Sequence, residues 1–162
     1  MRKGEKGILI GVVAFAVVAM SYKAWQASEV TEKDPGIPFY TTSSDEFATK
    51  ASVLYRKYEC RDCHSLWGLR NIMQAVPAPS LDGMGSIREE EWLYSYFSAE
   101  NPQSIIPSRL KLRYQMPSFA KIPETDRRML AKYISSLKVE DWFLEETKKM
   151  RYEKLTGKDY QK

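Results

Sequence analysis

Cysteine and histidine are scarce in this chain: two cysteines and one histidine in 162 residues. That scarcity excludes a multi-disulfide scaffold, and it denies a zinc centre the set of about four Cys or His ligands that closed sites use. Carboxylates would have to complete such a site, and nothing in their spacing suggests one. Blocks of like charge are missing too. The net charge of +4 raises the question of nucleic acid. Most of that excess, however, sits in the first 25 residues, where Arg2, Lys3, Lys6 and Lys23 face only Glu5, and the rest of the chain is nearly neutral. Its lysines are interleaved with acids and form no phosphate-binding face, so nucleic acid is not an expected partner. No internal repeat or low-complexity tract stands out. No stretch alternates convincingly enough to be a strand, which leaves an all-α fold.

The sequence does hold one long apolar run. Residues 1–25, "MRKGEKGILIGVVAFAVVAMSYKAW", start basic and are apolar without interruption over 7–20. That run alone is shorter than the roughly 20 residues that span a bilayer. Ser21, Tyr22 and the stem of Lys23 extend it, with Tyr22 and Trp25 as interfacial aromatics. Ala19 and Ser21 offer a small-residue cleavage site, so a cleaved signal is the alternative to a retained anchor. A lipoprotein anchor is excluded, because no cysteine follows the run. We expect a single transmembrane helix with its basic end cytoplasmic. Under either reading the remaining chain is exported to the periplasmic or extracytoplasmic side.

Residues 26–44, "QASEVTEKDPGIPFYTTSS", lack apolar periodicity and read as a linker. A first helix follows: Ser43 and Glu46 have capping-box spacing, and Phe47, Ala51, Leu54, Tyr55 and Tyr58 share one face. Residues 65–85 read as a loop punctuated by Pro77, Pro79, Gly83 and Gly85. Ser86 with Glu89 announces a second helix that packs through Trp92, Leu93, Tyr96 and Phe97. Pro102, Pro107, Pro117 and Pro123 prevent any long helix in the next segment. A third helix is expected over 124–137, with Leu130, Tyr133, Ile134 and Leu137 as its stripe. The domain so bounded is 45–138. Residues 139–162 form a charged extension, expected to be a helix that starts against the domain through Trp142 and Phe143, carries Glu145 and Lys149 as an i, i+4 pair, and frays later.

All three scarce residues fall in "YECRDCHSLW", as Cys60, Cys63 and His64. Two cysteines so close in an exported chain are able to form a tight disulfide. A redox pair of thioredoxin type needs a βα context that is missing here. Cys-x-x-Cys-His has another meaning: two thiols on one short turn reach the two vinyl groups of a haem, and the adjacent imidazole then lies beneath the iron. The porphyrin fixes those separations, which explains the clustering. A second axial ligand cannot be histidine, since no other exists. Met73, Met84 and Met116 are the thioether candidates. Met73 and Met84 lie on the loop that must first cross the proximal side, whereas Met116 follows a complete helix, with room to come round, and Pro117 stiffens its loop. Gap-filling in the core is the competing role for each methionine.

The first helix, "CRDCH", "PAPSLDG", "QMPSF" and the closing helix "LAKYISSL" together resemble class I cytochrome c over residues 45–138. The resemblance implies an all-α domain around one covalent haem c, with Cys60 and Cys63 as thioether positions, His64 as proximal ligand and Met116 as distal ligand. It also implies that the Pro79 carbonyl accepts the proton on the other imidazole nitrogen, and that Tyr133 is the aromatic at the helix contact. Trp67 and Arg70 are candidates for hydrogen bonds to haem propionates, with ordinary surface or packing roles as the alternative. An iron with both axial positions filled by protein has no vacant site for a substrate, which suits one-electron transfer rather than catalysis. The near-neutral exported region, the anchor and the C-terminal extension favour a resident subunit of a membrane respiratory complex over a freely diffusing carrier. Anchored single-haem cytochromes of this layout resemble subunits of quinol-oxidising bc-type complexes, terminal oxidases and nitric oxide reductases. The expected partners are redox proteins and other subunits of such a complex. A haem enzyme or gas sensor with an open iron, and a disulfide-closed interaction module, are the remaining alternatives.

Overall fold

The computed structural model describes residues 3–29, 35–69, 76 and 78–161. Arg2, Arg70, Met73 and Pro77 lie outside the described residues. The chain divides into two compact units, Met1–Gly36 and Ile37–Lys162.

The first unit is built on helix α1, Lys3–Glu29. Its stretch Gly4–Gln26, 23 residues, is long and apolar enough to cross a membrane, a property that signal sequences share. At 1.5 Å per residue it measures about 35 Å, against about 30 Å of bilayer hydrocarbon. Ile8, Val12, Phe15 and Val18 are all exposed. A helix that is apolar on every side suits lipid better than a half-wetted protein surface. Tyr22 and Trp25 meet near its C-terminal end, ring centroids 6.1 Å apart.

In the second unit, α2 spans Asp45–Lys57. Its N-cap is Ser44, whose side chain accepts from Phe47 N at 3.4 Å. The expected capping box is therefore displaced by one residue: Ser43 contacts Thr41 Oγ1 instead, and Glu46 pairs with Lys50. Asp45 and Glu46 at the start of α2, and Arg56 and Lys57 at its end, complement the helix dipole. A one-turn helix α3, Cys60–Cys63, follows directly. Helix α4 spans Glu90–Ser98 and helix α5 spans Glu124–Ser136. Ser86 does not cap α4. It belongs to a 3-10 turn, Met84–Ser86, and accepts from Val139 N at 3.1 Å, while Glu89 stands at the N-cap. The proline-rich segment forms two further short turns, Pro102–Ser104 and Leu112–Tyr114.

α5 packs against both α4 and α2. Leu130, Tyr133, Ile134 and Leu137 are all buried, as their spacing predicts. Ala51 of α2 and Ala131 of α5 are fully buried in the same core, where the absence of a larger side chain lets the helices approach closely. Tyr58 Oη donates to Asp126 Oδ2 at 2.5 Å and Lys57 Nζ lies 3.2 Å from the same oxygen, joining the end of α2 to the start of α5. The hydrogen bond from Tyr58, then that from Lys57, holds the Asp126 carboxyl below its usual range.

The expectation of no strand is corrected in one place. Strand β1, Phe39–Thr41, pairs antiparallel with β2, Leu137–Val139, in the register Phe39↔Val139, Tyr40↔Lys138, Thr41↔Leu137. Three residues are too few to show an alternating pattern, and the pairing is set by a partner from the far end of the chain. β1 lies within the stretch read as a linker. Helix α6, Asp141–Thr156, then runs without fraying to Gly157, whose φ of 69° is the left-handed conformation that ends helices. Phe143 packs edge-on against Phe39 at 5.7 Å, while Trp142 is exposed. Glu145 pairs with Lys148 at 2.6 Å, one residue short of the spacing expected.

The turn Met84–Ser86 is held against the α5–β2 junction. Lys138 Nζ donates to Gly85 O at 2.5 Å, and a Cβ on Gly85 would lie 1.8 Å from Ser135 O. Backbone, not a flexible side chain, blocks that position. Gly85→Ala is therefore expected to cost about 3 kcal/mol through forced backbone displacement. Denaturant midpoints of the purified protein test this, and an unchanged midpoint refutes the close approach.

Candidate functional site

The Cys-His segment starts with a backbone reversal. Glu59 adopts φ 56°, uncommon for a non-glycine residue, and so turns the chain out of α2 and into α3. The short turn is closed by His64 N donating to Cys60 O at 2.9 Å and Asp62 N donating to Glu59 O at 3.0 Å. Both cysteines are thereby brought to the wall of a cavity of about 270 Å³, lined mostly by apolar side chains. Burial pushes the Cys60 thiol up to about 12 and also raises that of Cys63.

His64 lines the same cavity. Its Nδ1 lies 2.8 Å from Pro79 O. A carbonyl only accepts, so Nδ1 carries the proton and Nε2 keeps its lone pair. Burial lowers the imidazole pKa, with the Pro79 carbonyl opposing and the Arg151 charge adding to the effect. The neutral ring is the form that binds metals. The residue is also tied by its backbone: Tyr55 Oη, buried on α2, donates to His64 O at 3.0 Å.

The loop that carries Pro79 back to His64 depends on a residue that the sequence reading did not single out. Asp82 is buried. Its carboxylate accepts from Trp67 N at 2.5 Å, Gly68 N at 3.1 Å and Ser80 Oγ at 2.7 Å. Trp67 and Gly68 have φ of 57° and 68°, two left-handed residues in succession, and the turn they form is closed by two hydrogen bonds between Leu66 and Leu69. Leu81 N donates to Ser65 O at 3.1 Å and Ser80 Oγ lies 3.3 Å from the same oxygen, so the chain beside His64 and the chain beside Pro79 are pinned together. The spacing Ser-x-Asp in "PSLDG" was the available signal, but only the fold reveals which amides it serves.

Met116 lines the cavity with the cysteines and His64, and so does Met84. The two differ in setting. Met84 is buried in the hydrophobic core, packed with Leu93 and Ile134, whereas Met116 is half-buried on an irregular segment. That segment is staked by side chains: Gln103 Nε2 donates to Met116 O at 2.8 Å, Gln115 Nε2 to Leu110 O at 2.8 Å and Ser118 Oγ to Ala99 O at 2.8 Å. Gln103 was likewise not anticipated. α4 supplies Trp92, Leu93, Tyr96 and Phe97 to the cavity, and α6 supplies Arg151, Lys154 and Leu155. Trp67 is half-exposed and does not line this cavity. Among the described residues no group of three His, Cys, Asp or Glu side chains forms a metal-holding cluster. Two thiols, one neutral imidazole nitrogen and a thioether on an apolar wall fit a haem joined through its vinyl groups.

Residues 48–138, more than half of the chain, match the family model described as Cytochrome c. No curated protein and no solved structure matches the chain.

Asp82→Ala removes an ionised acceptor from two backbone amides and one hydroxyl, so a loss of about 3 kcal/mol is expected. Amide hydrogen exchange at Trp67 and Gly68 should accelerate together with the fall in stability. Exchange at wild-type rates in the variant would show that the carboxylate does not hold the turn.

Proposed function

The chain belongs to the cytochrome c family, and from that premise we propose that it is a membrane-anchored electron-transfer subunit with His64 and Met116 as axial ligands of its haem. Covalent haem c, joined through Cys60 and Cys63, and one-electron transfer come with the family. Anchoring, the axial pair and the host complex are our reading. The observation that carries it is the cavity itself, which gathers both thiols, Met116 and an imidazole whose Nδ1 is already satisfied by Pro79.

Bound there, haem c supplies reversible one-electron chemistry at a potential that a methionine ligand raises. The residues around it orient and exclude. Pro79 O holds the ring by Nδ1 and leaves Nε2 available to a bound group, the Tyr55 bond to His64 O fixes the backbone beside it, and Asp82 keeps the Pro79 loop in register. Trp92, Leu93 and Phe97 exclude water from the wall, which keeps the environment apolar and favours the less charged redox state. Gln103 holds the Met116 backbone, so the thioether is presented by a segment fixed before any ligand arrives. If His64 and Met116 both held the group, no open coordination site would remain for a substrate, which suits an electron-transfer protein rather than an enzyme.

α1 supports the anchor. A 23-residue apolar stretch with Lys3 and Lys6 at its start suits a single span with the N-terminus cytoplasmic and the haem domain on the extracytoplasmic side. The near-neutral exported region favours residence beside fixed partners, other subunits of a membrane respiratory complex and its redox proteins, over diffusive steering.

Two measurements test this. Oxidised and reduced spectra of the purified protein should show low-spin bands and the weak long-wavelength band of sulfur-ligated ferric iron. That band is expected to vanish in Met116→Ala and to survive in Met84→Ala, even though the latter costs about 2–5 kcal/mol as a core truncation. A band lost only in Met84→Ala reassigns the ligand, and a high-spin wild-type spectrum that binds carbon monoxide readily moves the function to catalysis or sensing. For the anchor, the haem-stained protein should stay with membranes through alkaline carbonate washing and be released by detergent. A soluble product with a new N-terminus near Ala19 or Ser21 would instead identify a cleaved signal and a diffusing carrier.

A further inference from the structure

Helix α6 lies outside the matched region 48–138, yet it lines the haem cavity. It does so through Arg151, Lys154 and Leu155, and Arg151 also lines a second cavity of about 520 Å³, along with Arg109 and Lys154. Three cations therefore gather where the two cavities share their lining. Among the described residues, no ion pair and no hydrogen bond involves the Arg151 guanidinium. Burial, and then the charge of Arg88, push its pKa down to about 10, the Tyr96 hydroxyl opposing them.

Among the described residues no carboxylate is paired with this group: Glu59 and Asp62 line the first cavity and Asp82 and Glu153 the second, and none of them forms an ion pair with it. Asp82 is already committed to Trp67, Gly68 and Ser80. Arg109 donates to Lys154 O at 3.4 Å, which fixes a second guanidinium beside α6 without supplying an anion. Arg151 also affects two other titratable groups, His64 and Tyr96, and neither supplies an anion, because burial favours the neutral form of each. A half-buried guanidinium with cations for neighbours and no ion pair among the described residues is placed to take an anion from a group bound in the cavity. A haem carries two carboxylates that its thioether bonds leave free.

We propose that Arg151 is the partner of a haem carboxylate, so that α6 completes the cofactor site, with Arg109 and Lys154 adding positive charge at that edge. This rests on haem c in the cavity but not on Met116 as its ligand. Through its charge, Arg151 keeps the carboxylate ionised near neutral pH and raises the midpoint potential, since a nearby cation favours the reduced state.

The test is the pH dependence of the midpoint potential of the haem-loaded full chain, in wild type, Arg151→Met and Arg151→Lys. Removing an opposite charge at contact range should raise the apparent pKa of the linked carboxylate by about one unit or more. Arg151→Met is expected to show that shift together with a lower potential, and Arg151→Lys to retain most of the wild-type profile. A profile and potential unchanged in Arg151→Met, with haem attached, overturns the assignment. So does a loss of stability that is equal in the Met and Lys variants with no change in profile, which marks Arg151 as a packing residue. Arg151→Gln gives the same readout if Arg151→Met does not fold. The sulfur-ligation band, recorded in the same samples, reports separately on Met116.

Discussion

The 2.8 Å hydrogen bond between His64 Nδ1 and the Pro79 carbonyl decides which imidazole nitrogen is left for a metal, and much of the surrounding structure serves to hold it. His64 is delivered by a turn that only closes because Glu59 accepts a left-handed conformation, at a cost of about 1–2 kcal/mol for a residue with a side chain. Pro79 arrives from a loop with no regular structure, and without a fixed partner that loop would sample many positions. Asp82 supplies the partner. Its carboxylate ties together two left-handed residues just past His64 and the serine that follows Pro79, so a single buried charge keeps both ends of the hydrogen bond in register. Because the three groups it serves are two amides and a hydroxyl, the charge is fully hydrogen-bonded rather than stranded.

Where the sequence was most legible, the relevant physics was local. The thiols and imidazole sit on one turn, so their contiguity could be read directly. Helices α2 and α5 bury the stripes that their 3.6-residue spacing marks, with Ala51, Tyr55, Leu130 and Ile134 inward. Legibility fails where a partner is distant in sequence. β1 is three residues long and exists because β2 lies beside it; nothing in "FYT" by itself distinguishes a strand from a linker. Both misplaced caps have the same origin. Ser43 and Ser86 have cap-like spacing, but Thr41 and the Val139 amide compete for their hydroxyls, and the helices start one or a few residues later. Gln103 and Asp82 were overlooked because a side chain that supports another residue's backbone leaves no periodic signature. The charged tail reads as a helix that starts against the domain and then frays, and its mixed composition gives no warning that Arg151 and Leu155 line a cavity.

Those distant pairings also explain why the folded unit is larger than the matched family region. β1 precedes residue 48, and β2 ends and α6 begins at its far edge. The ladder places Phe39 beside Val139, and Phe39 in turn receives Phe143 at the start of α6. Gly83 is required at the same junction: a Cβ there would lie 2.9 Å from Val139 Cβ, and its φ is 69°. The N-terminal strand, the turn at Met84–Ser86 and the first turn of α6 are thus packed as one corner. That corner sets the direction in which α6 leaves, and hence whether Arg151 reaches the cavity at all.

The cavity ties the stability of the domain to its cofactor. A group that fills this apolar cavity of about 270 Å³ and meets the Arg151 charge binds the native chain and not the unfolded one, and so stabilises the fold. The covalent link through Cys60 and Cys63 makes that contribution permanent. The side chains that form the site are therefore the ones that leave the polypeptide least able to do without it, which is how a short helical domain with few internal staples holds a methionine segment and a histidine loop in fixed positions.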